Sequence, residues 1–211
     1  MKSFNLMFMG TPDFAVPALR ALDASPHTVS CVVTQPDRPK GRGRKLTAPP
    51  VKTWALKMGY PVIQPQNHDD PVFIAAAHQH APDWFIVIAF GHILKKNHLA
   101  LPRLGSLNLH ASLLPHHRGP APIQWSIHAG DAVTGVCTQR MEEGLDTGPV
   151  YLSLETPMAP RETGGTLPWI ISTRDAHAGN RHAHRHAVIF IGLYLRSVHA
   201  RATTTMDNHT V

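Results

Sequence analysis

The segment 105–148 decides the fold, and it reads GSLNLHASLLPHHRGPAPIQWSIHAGDAVTGVCTQRMEEGLDTG. Its opening run SLNLH is typical of a β-strand, in which side chains alternate, so Asn108 and His110 point to the same face. Asp146 follows in a separate segment, where Gly144 and Gly148 allow the backbone to turn sharply. An amide, an imidazole and a carboxylate on one face are the groups that acyl transfer to an amine requires. The amide can stabilise an oxyanion, and the other two can move protons.

Strand-like and helix-like runs alternate from residue 4 to about residue 156. The predicted strands are 4–9, 28–35, 62–64, 84–90, 106–114, 133–139 and 150–155, and the predicted helices are 14–22, 50–58, 70–79 and 123–129. The alternation predicts an α/β fold with a Rossmann-like, doubly wound and mostly parallel sheet. His110, Asp146 and the turn after Phe90 are then expected at the carboxyl ends of the strands. The sequence has no GxGxxG motif, so a dinucleotide cofactor is not expected.

Composition favours a basic protein of a reducing compartment. A chain of 211 residues can form one sizeable core, and its net charge of +6 favours a polyanionic partner. Cys31 and Cys137 both lie in strand-like runs and form no disulfide framework. The run 4–9 is too short for a signal peptide, and the apolar run 188–195 is far below the roughly 18 residues of a membrane span. We therefore expect a cytoplasmic protein with no membrane partner.

Several motifs, in order and at matching spacing, resemble the folate-dependent formyltransferases. They are MGTPDFAVPAL at 9–19, SLNLHASLLP at 106–115, RGPAPIQW at 118–125 and GLDTG at 144–148. A basic loop, TQPDRPKGRGRKLTAPPVK at 34–52, is similar to the tRNA-contacting loop of those members that act on methionyl-tRNA. The resemblance extends from the N-terminus to about Leu167.

The resemblance implies a reaction and its catalytic residues. The formyl group of 10-formyltetrahydrofolate would pass to the amino group of initiator methionyl-tRNA, for translation initiation. Asn108, His110 and Asp146 match the catalytic positions of the family. Asn108 would donate a hydrogen bond to the oxyanion, and His110, paired with Asp146, would move a proton from the amine towards N10. No metal and no covalent enzyme intermediate are needed, and the protein is expected to be a monomer.

The folate is expected, from the resemblance, against the turn at 90–94 and the segment 112–115. The matching positions are Phe90, Gly91, Ile93, Leu94, Ser112, Leu113, Leu114 and Pro115. A pterin needs an apolar slot edged by backbone hydrogen-bonding groups, which these residues can supply. Simple packing at the end of a strand is the alternative interpretation of Leu113, Leu114 and Pro115.

The basic loop predicts a contact with the acceptor tRNA. Its proposed tRNA-binding residues are Arg38, Lys40, Arg42, Arg44 and Lys45, and Lys52 adds a sixth cation against the single acid Asp37. Gly41 and Gly43 are expected to make the middle of the loop mobile, which suits a segment that becomes ordered on a phosphate backbone. Solvated surface is the alternative interpretation of such a run of charges.

The sequence departs from the family pattern after Leu167. We therefore divide it into a catalytic domain at 1–167 and a divergent tail at 168–211, which we interpret as frameshifted or disordered. The closing helix and the C-terminal barrel of the family are not recognisable in this tail. Its histidines His182, His184 and His186 complete no designed metal site.

The sequence leaves two other functions open. The first is a formyltransferase or hydrolase that uses the same folate on a sugar nucleotide, on glycinamide ribotide or on water. The second is a truncated, inactive fragment that binds folate or RNA.

Overall fold

A seven-stranded sheet organises residues 3–167, the part of the chain that this computed structural model describes. Its strands are β1 (Asn5–Gly10), β2 (Thr28–Val33), β5 (Val62–Ile63), β6 (Trp84–Ile88), β7 (Gly105–His110), β8 (Val133–Arg140) and β9 (Val150–Pro157). The strand order is β5-β2-β1-β6-β7-β8-β9. The first five strands are parallel, whereas β8 and β9 are antiparallel to their neighbours. The predicted α/β, doubly wound and mostly parallel sheet is confirmed.

Helices connect the parallel strands, and one further helix lies between β7 and the antiparallel strand β8. They are α1 (Val16–Asp23), α2 (Pro50–Lys57), α3 (Pro71–His80), α4 (Lys96–Leu99) and α5 (Pro122–Ala129), with a short 3-10 helix at Asp13–Ala15. A proline stands in the first turn of α1, α2, α3 and α5, where its missing N–H is not needed. Asp70 caps α3 by accepting a hydrogen bond from the backbone N–H of Val72 at 3.0 Å.

The core lies on both faces of the sheet because the apolar side chains of the central strands alternate. In β1, Phe8 faces the layer that contains α1 and α2, and Met7 faces the layer that contains α3. In β6, Ile86 faces the layer of α1 and α2, and Phe85 faces the layer of α3. A sheet that is buried on both faces needs such apolar runs, which explains the sequence WFIVI of β6.

The basic loop differs from its prediction, because it forms a hairpin. Strands β3 (Arg38–Lys40) and β4 (Lys45–Thr47) pair in antiparallel register, with Lys40 opposite Lys45. Gly41 and Gly43 have φ values of 74° and 88° and make the turn between the strands. The predicted loop therefore contains two paired strands, Gly41 and Gly43 form the turn between them, and the mobility of that turn stays a prediction.

Two further differences concern the length of a strand and an additional helix. Strand β7 ends at His110 rather than at residue 114, and the helix α4 was not expected from the sequence. The tail at 168–211 and the question of a barrel lie outside the described residues. Cys31 and Cys137 are both buried and free. None of the helices within 3–167 has the length and apolarity that crossing a bilayer requires.

Candidate active site

Strand β7 brings two of the predicted site residues to one face of the sheet. Asn108 and His110 both contact Asp146, as their spacing in the strand predicts. Asp146 reaches the end of β7 by an indirect route, because β8 is antiparallel to β7. The loop after β8 starts beside Leu107 and returns over the sheet to reach Asn108 and His110.

The loop that carries Asp146 is closed at its base. The backbone N–H of Arg140 donates to the carbonyl oxygen of Pro149 at 3.0 Å. A Cβ atom on Gly148 would lie 1.9 Å from the carbonyl oxygen of Arg140, so only glycine permits this closure. Asp146 has a φ of 49°, a left-handed conformation that short polar side chains tolerate. The position of the Asp146 side chain against β7 therefore depends on the closure of the loop between Arg140 and Pro149.

Both carboxylate oxygens of Asp146 receive hydrogen bonds. Oδ1 accepts from Gln139 Nε2 at 2.6 Å and from Asn108 Nδ2 at 3.3 Å. Oδ2 accepts from the backbone N–H of Gly119 at 2.8 Å and lies 3.6 Å from Nδ1 of His110. A primary amide has two N–H donors, so Asn108 keeps a second hydrogen for another acceptor.

His110 has a hydrogen-bond partner at Nε2 and the Asp146 carboxylate near Nδ1, and it is only 6% exposed. Its Nε2 atom lies 3.0 Å from the carbonyl oxygen of His117. A carbonyl oxygen only accepts, so Nε2 carries the hydrogen in this arrangement. His117 has a φ of 52°, and its own ring contacts Asp131 at 2.6 Å. The pair His117–Asp131 thus fixes the carbonyl group that orients His110.

Cys137 stands opposite His110 in the β7–β8 ladder. Burial raises the pKa of its thiol, an effect that a hydrogen bond with the backbone of Leu114 partly offsets. A protonated, fully buried thiol is a poor nucleophile, so Cys137 contributes packing. Its contact with Leu114 places the segment 112–115 beside His110.

The turn at 90–94 follows β6, the strand that neighbours β7. The carbonyl oxygen of Phe90 accepts from Thr11 Oγ1 at 3.0 Å and from Gln35 Nε2 at 3.1 Å. These bonds tie the turn to the residues that follow β1 and β2. Gly91 has a φ of 86°, and a Cβ atom there would lie 2.2 Å from Gln35 Nε2. The backbone of this turn is therefore preorganised.

The predicted folate residues divide into buried and accessible groups. Phe90, Leu94 and Ser112 are buried, and Ser112 Oγ donates to the carbonyl oxygen of His116 at 2.6 Å. Gly91, Ile93 and Pro115 are exposed, and Leu113 and Leu114 are half-buried. The accessible residues offer a surface for a ligand next to His110 and in the turn after β6. The buried residues pack beneath that surface.

The five proposed tRNA-binding cations all lie on or beside the hairpin and are exposed: Arg38, Lys40, Arg42, Arg44 and Lys45. Lys52 has another role, because its Nζ atom donates to Asp37 at 2.8 Å and to Gln64 Oε1 at 2.6 Å. Lys52 and then Gln64 hold the pKa of Asp37 below its ordinary value. This small network anchors the base of the hairpin.

The base of the hairpin adjoins the turn at 90–94, because Gln35, three residues before β3, donates to the carbonyl oxygen of Phe90 at 3.1 Å. Burial, and then the charges of His68 and Arg38, lower the pKa of His92. The charge of Arg38 is therefore one of the causes that lower the pKa of His92.

Within 3–167, no group of His, Cys, Asp and Glu side chains is arranged to hold a metal ion.

Sequence reasoning missed Gln139, His117 and Asp131. Gln139 was assigned only to the run VTGVCTQ, yet it makes the shortest hydrogen bond to Asp146. The available signal was a polar residue at the end of an otherwise apolar strand. The contact of Gln139 with Asp146 depends on the strand register that places Gln139 opposite Asn108. The sequence pattern does not reveal that register.

The fold and the polar residues gathered on β7 define an α/β protein of the doubly wound class, with its candidate site beside the fifth parallel strand. The chain belongs to the formyl transferase family, whose model matches residues 2–178.

Its relatives in sequence include methionyl-tRNA formyltransferases. The chain is 53% identical over 166 residues to the enzyme of Desulfotalea psychrophila, covering 79% of this chain and 51% of that protein. It is 48% identical over 167 residues to the enzyme of Syntrophus aciditrophicus, covering 79% of this chain and 54% of that protein. The chain thus spans about half the length of these curated relatives.

Solved structures share the fold at low sequence identity. Phosphoribosylglycinamide formyltransferase from Anaplasma phagocytophilum superposes with a TM-score of 0.71 at 18% identity, covering 93% of this chain and 89% of that chain. A formyltetrahydrofolate deformylase from Pseudomonas syringae pv. tomato gives 0.63 at 15% identity, covering 87% of this chain and 62% of that chain. At these identities the likeness establishes the fold alone.

Proposed function

We propose that residues 1–167 form the catalytic domain of a methionyl-tRNA formyltransferase, which moves the formyl group of 10-formyltetrahydrofolate to the amino group of initiator methionyl-tRNA. The observation that carries the proposal is the bridge that Asp146 makes between Asn108 and His110. It gathers an oxyanion donor, a proton carrier and its counter-charge on one face of the sheet. Family membership and relatives that are 48% and 53% identical over the aligned residues support the same reaction.

In the proposed mechanism the amine nitrogen attacks the formyl carbon, and the formyl oxygen becomes an oxyanion. The free N–H of Asn108 donates to that oxygen, and loss of such a donor raises the barrier by about 3 kcal/mol. The bond from carbon to N10 then breaks, while the amine loses one proton and N10 gains one. His110 transfers this proton, and Asp146 stabilises the charged ring.

His110 must exchange one partner to do this. Its Nε2–H donates to the carbonyl oxygen of His117 in the described arrangement. A substrate atom that displaces this carbonyl would receive the same hydrogen. Nδ1 stays directed at Asp146, so the ring keeps its orientation during the exchange.

The acceptor is chosen by the hairpin in this proposal. Five exposed cations on the hairpin suit the many phosphate groups of a tRNA backbone, whereas glycinamide ribonucleotide carries a single phosphate group for them to bind. The base of the hairpin adjoins the turn at 90–94 through the bond from Gln35 to Phe90, and the folate is proposed to bind that turn against Ile93 and Gly91. Donor and acceptor would then meet at His110.

The test is a comparison of acceptors with one donor. The purified 211-residue chain is given 10-formyltetrahydrofolate with methionyl-tRNA, with glycinamide ribonucleotide or with neither acceptor. We expect formyl transfer to methionyl-tRNA, and its loss in Asn108→Ala. Faster transfer to glycinamide ribonucleotide, or release of formate alone, would contradict the proposal.

A further inference from the structure

Gln139 is a buried polar residue that the proposed mechanism leaves unused. It lies near the end of β8, is 1% exposed and stands opposite Asn108 in the antiparallel ladder. Its Nε2 atom donates to Oδ1 of Asp146 at 2.6 Å, which is shorter than the bond from Asn108 to the same oxygen.

The orientation of the Gln139 amide follows from its neighbour. A carboxylate only accepts hydrogen bonds, so the nitrogen of the amide must face Asp146. The amide oxygen, Oε1, is then buried and makes no hydrogen bond to any described residue. A buried, unpaired acceptor costs free energy that an apolar side chain would avoid. The residue is therefore better explained by its bond to Asp146 than by packing.

The bond fixes the plane of the Asp146 carboxylate, and with it the direction in which one carboxylate oxygen faces His110. Gln139 and Asn108 occupy Oδ1, whereas the backbone N–H of Gly119 and Nδ1 of His110 lie on the side of Oδ2. With both sides held, the carboxylate cannot rotate about its Cβ–Cγ bond. Without Gln139, only the longer bond from Asn108 would restrain Oδ1.

We propose that Gln139 is a positioning residue, which holds Oδ1 of Asp146 so that Oδ2 stays directed at His110. This inference rests on the proposed function, because it assigns Gln139 a part in the same reaction. Gln139 acts through Asp146 and does not touch the reacting atoms.

Three variants of the full chain test the inference. Gln139→Met removes the donor at similar length, and Gln139→Glu replaces the amide with a carboxyl group. Thr138→Val is the matched control, because Thr138 is the adjacent residue, is fully buried, and its Oγ1 makes no hydrogen bond within 3–167. Gln139→Met should lower kcat about 100-fold through misplacement of the catalytic groups, with an unchanged KM for the folate donor. Thr138→Val should keep both constants.

The Gln139→Glu variant supplies a readout that a merely structural role would not change. Two carboxyl groups at this distance cannot both be ionised, so one of them takes up a proton more readily. When the introduced carboxyl is protonated, it donates to Asp146 as the amide does. The kcat of this variant, relative to the wild type at each pH, should therefore rise as the pH falls. A constant ratio across pH, or full activity of Gln139→Met, would overturn the inference.

A second measurement does not depend on turnover. The ring ¹⁵N chemical shifts of His110, compared at one pH, should change in Gln139→Met and stay as in the wild type in Thr138→Val. If the wild-type chain transfers no formyl group, the proposed function fails, and these shifts still decide the inference. Unchanged shifts in Gln139→Met would show that Gln139 does not position Asp146 towards His110.

Discussion

Nδ1 of His110 lies 3.6 Å from Oδ2 of Asp146, on the side of the ring opposite the hydrogen bond to the carbonyl oxygen of His117. The imidazole is thus fixed between one carboxylate and one carbonyl group. A singly protonated ring satisfies only the carbonyl, whereas a doubly protonated ring can donate to both. This arrangement suits the proposed mechanism, in which His110 takes up a proton and Asp146 stabilises the charge that results.

The charge of Asp146 can be tested without changing its shape. In Asp146→Asn, the negative charge next to His110 is lost, and we expect kcat to fall by about 100-fold or more, as for other groups that support proton transfer. Steady-state formyl transfer measures the effect. The control is Glu143→Gln, which makes the same chemical change on an exposed residue of the same loop and should leave kcat unaltered. Equal losses in both variants would argue against a specific role for Asp146.

The oxyanion role of Asn108 predicts a different pattern. Asn108→Ala should reduce kcat by roughly 100- to 1,000-fold, because one donor to the developing charge is removed. The Kd for the folate donor should change little, since the bond forms only in the transition state. Single-turnover rates measure the effect on the transfer step, and a folate titration measures the effect on the Kd for the donor. A variant that binds folate poorly but turns over normally once saturated would place Asn108 in binding instead.

The hairpin predicts a salt-dependent acceptor interaction. Replacing Arg42 and Arg44 with alanine should weaken the binding of methionyl-tRNA and reduce the slope of log K against log salt by about 0.7–0.9 for each phosphate group that is no longer neutralised. Lys57→Ala is the control, because Lys57 is an exposed cation on α2, outside the hairpin. An unaltered slope in the double variant would show that the hairpin does not contact phosphate groups.

The base of the hairpin should respond to acid. The folded protein lowers the pKa of Asp37 from its ordinary value of 3.8, chiefly through Lys52, so the unfolded chain binds the proton more readily. The contribution of this carboxylate to stability is therefore fully present above pH 3.8 and is lost as the pH falls through the lower, folded value. Melting curves of the wild type and Asp37→Asn should differ at neutral pH and converge in acid. A difference that persists at the lowest pH would require another explanation.

The sheet could be predicted because its signal is local. The runs in β1 and β6 are apolar at almost every position, and β7 combines two polar residues at a spacing of two with apolar neighbours. Each pattern is complete within a few residues, so no knowledge of partners is needed. The shared face of Asn108 and His110 followed from the same period.

The parts that were missed depend on distant contacts. Strands β3 and β4 are polar and exposed, so they lack the alternation that identifies a strand. The position of Asp146 depends on the antiparallel direction of β8 and on the closure between Arg140 and Pro149. Gln139 acquires its role only through that register. Local patterns carry no information on these pairings.

The turn at 90–94 provides the last prediction, because two glycines of this chain share a conformation but differ in their surroundings. Gly91 and Gly59 have φ values of 86° and 81°, and alanine in the left-handed region costs about 1 kcal/mol at either position. A Cβ atom on Gly59 would meet nothing within 4 Å, whereas on Gly91 it would displace the amide of Gln35. That displacement breaks the bond from Gln35 to the carbonyl oxygen of Phe90, at a further cost of about 1 kcal/mol. Gly91→Ala should therefore lower the free energy of unfolding more than Gly59→Ala, as measured in urea, and it alone should weaken folate binding. Equal losses of stability with intact folate affinity would show that Gln35 adjusts freely and that the turn is not part of the folate site.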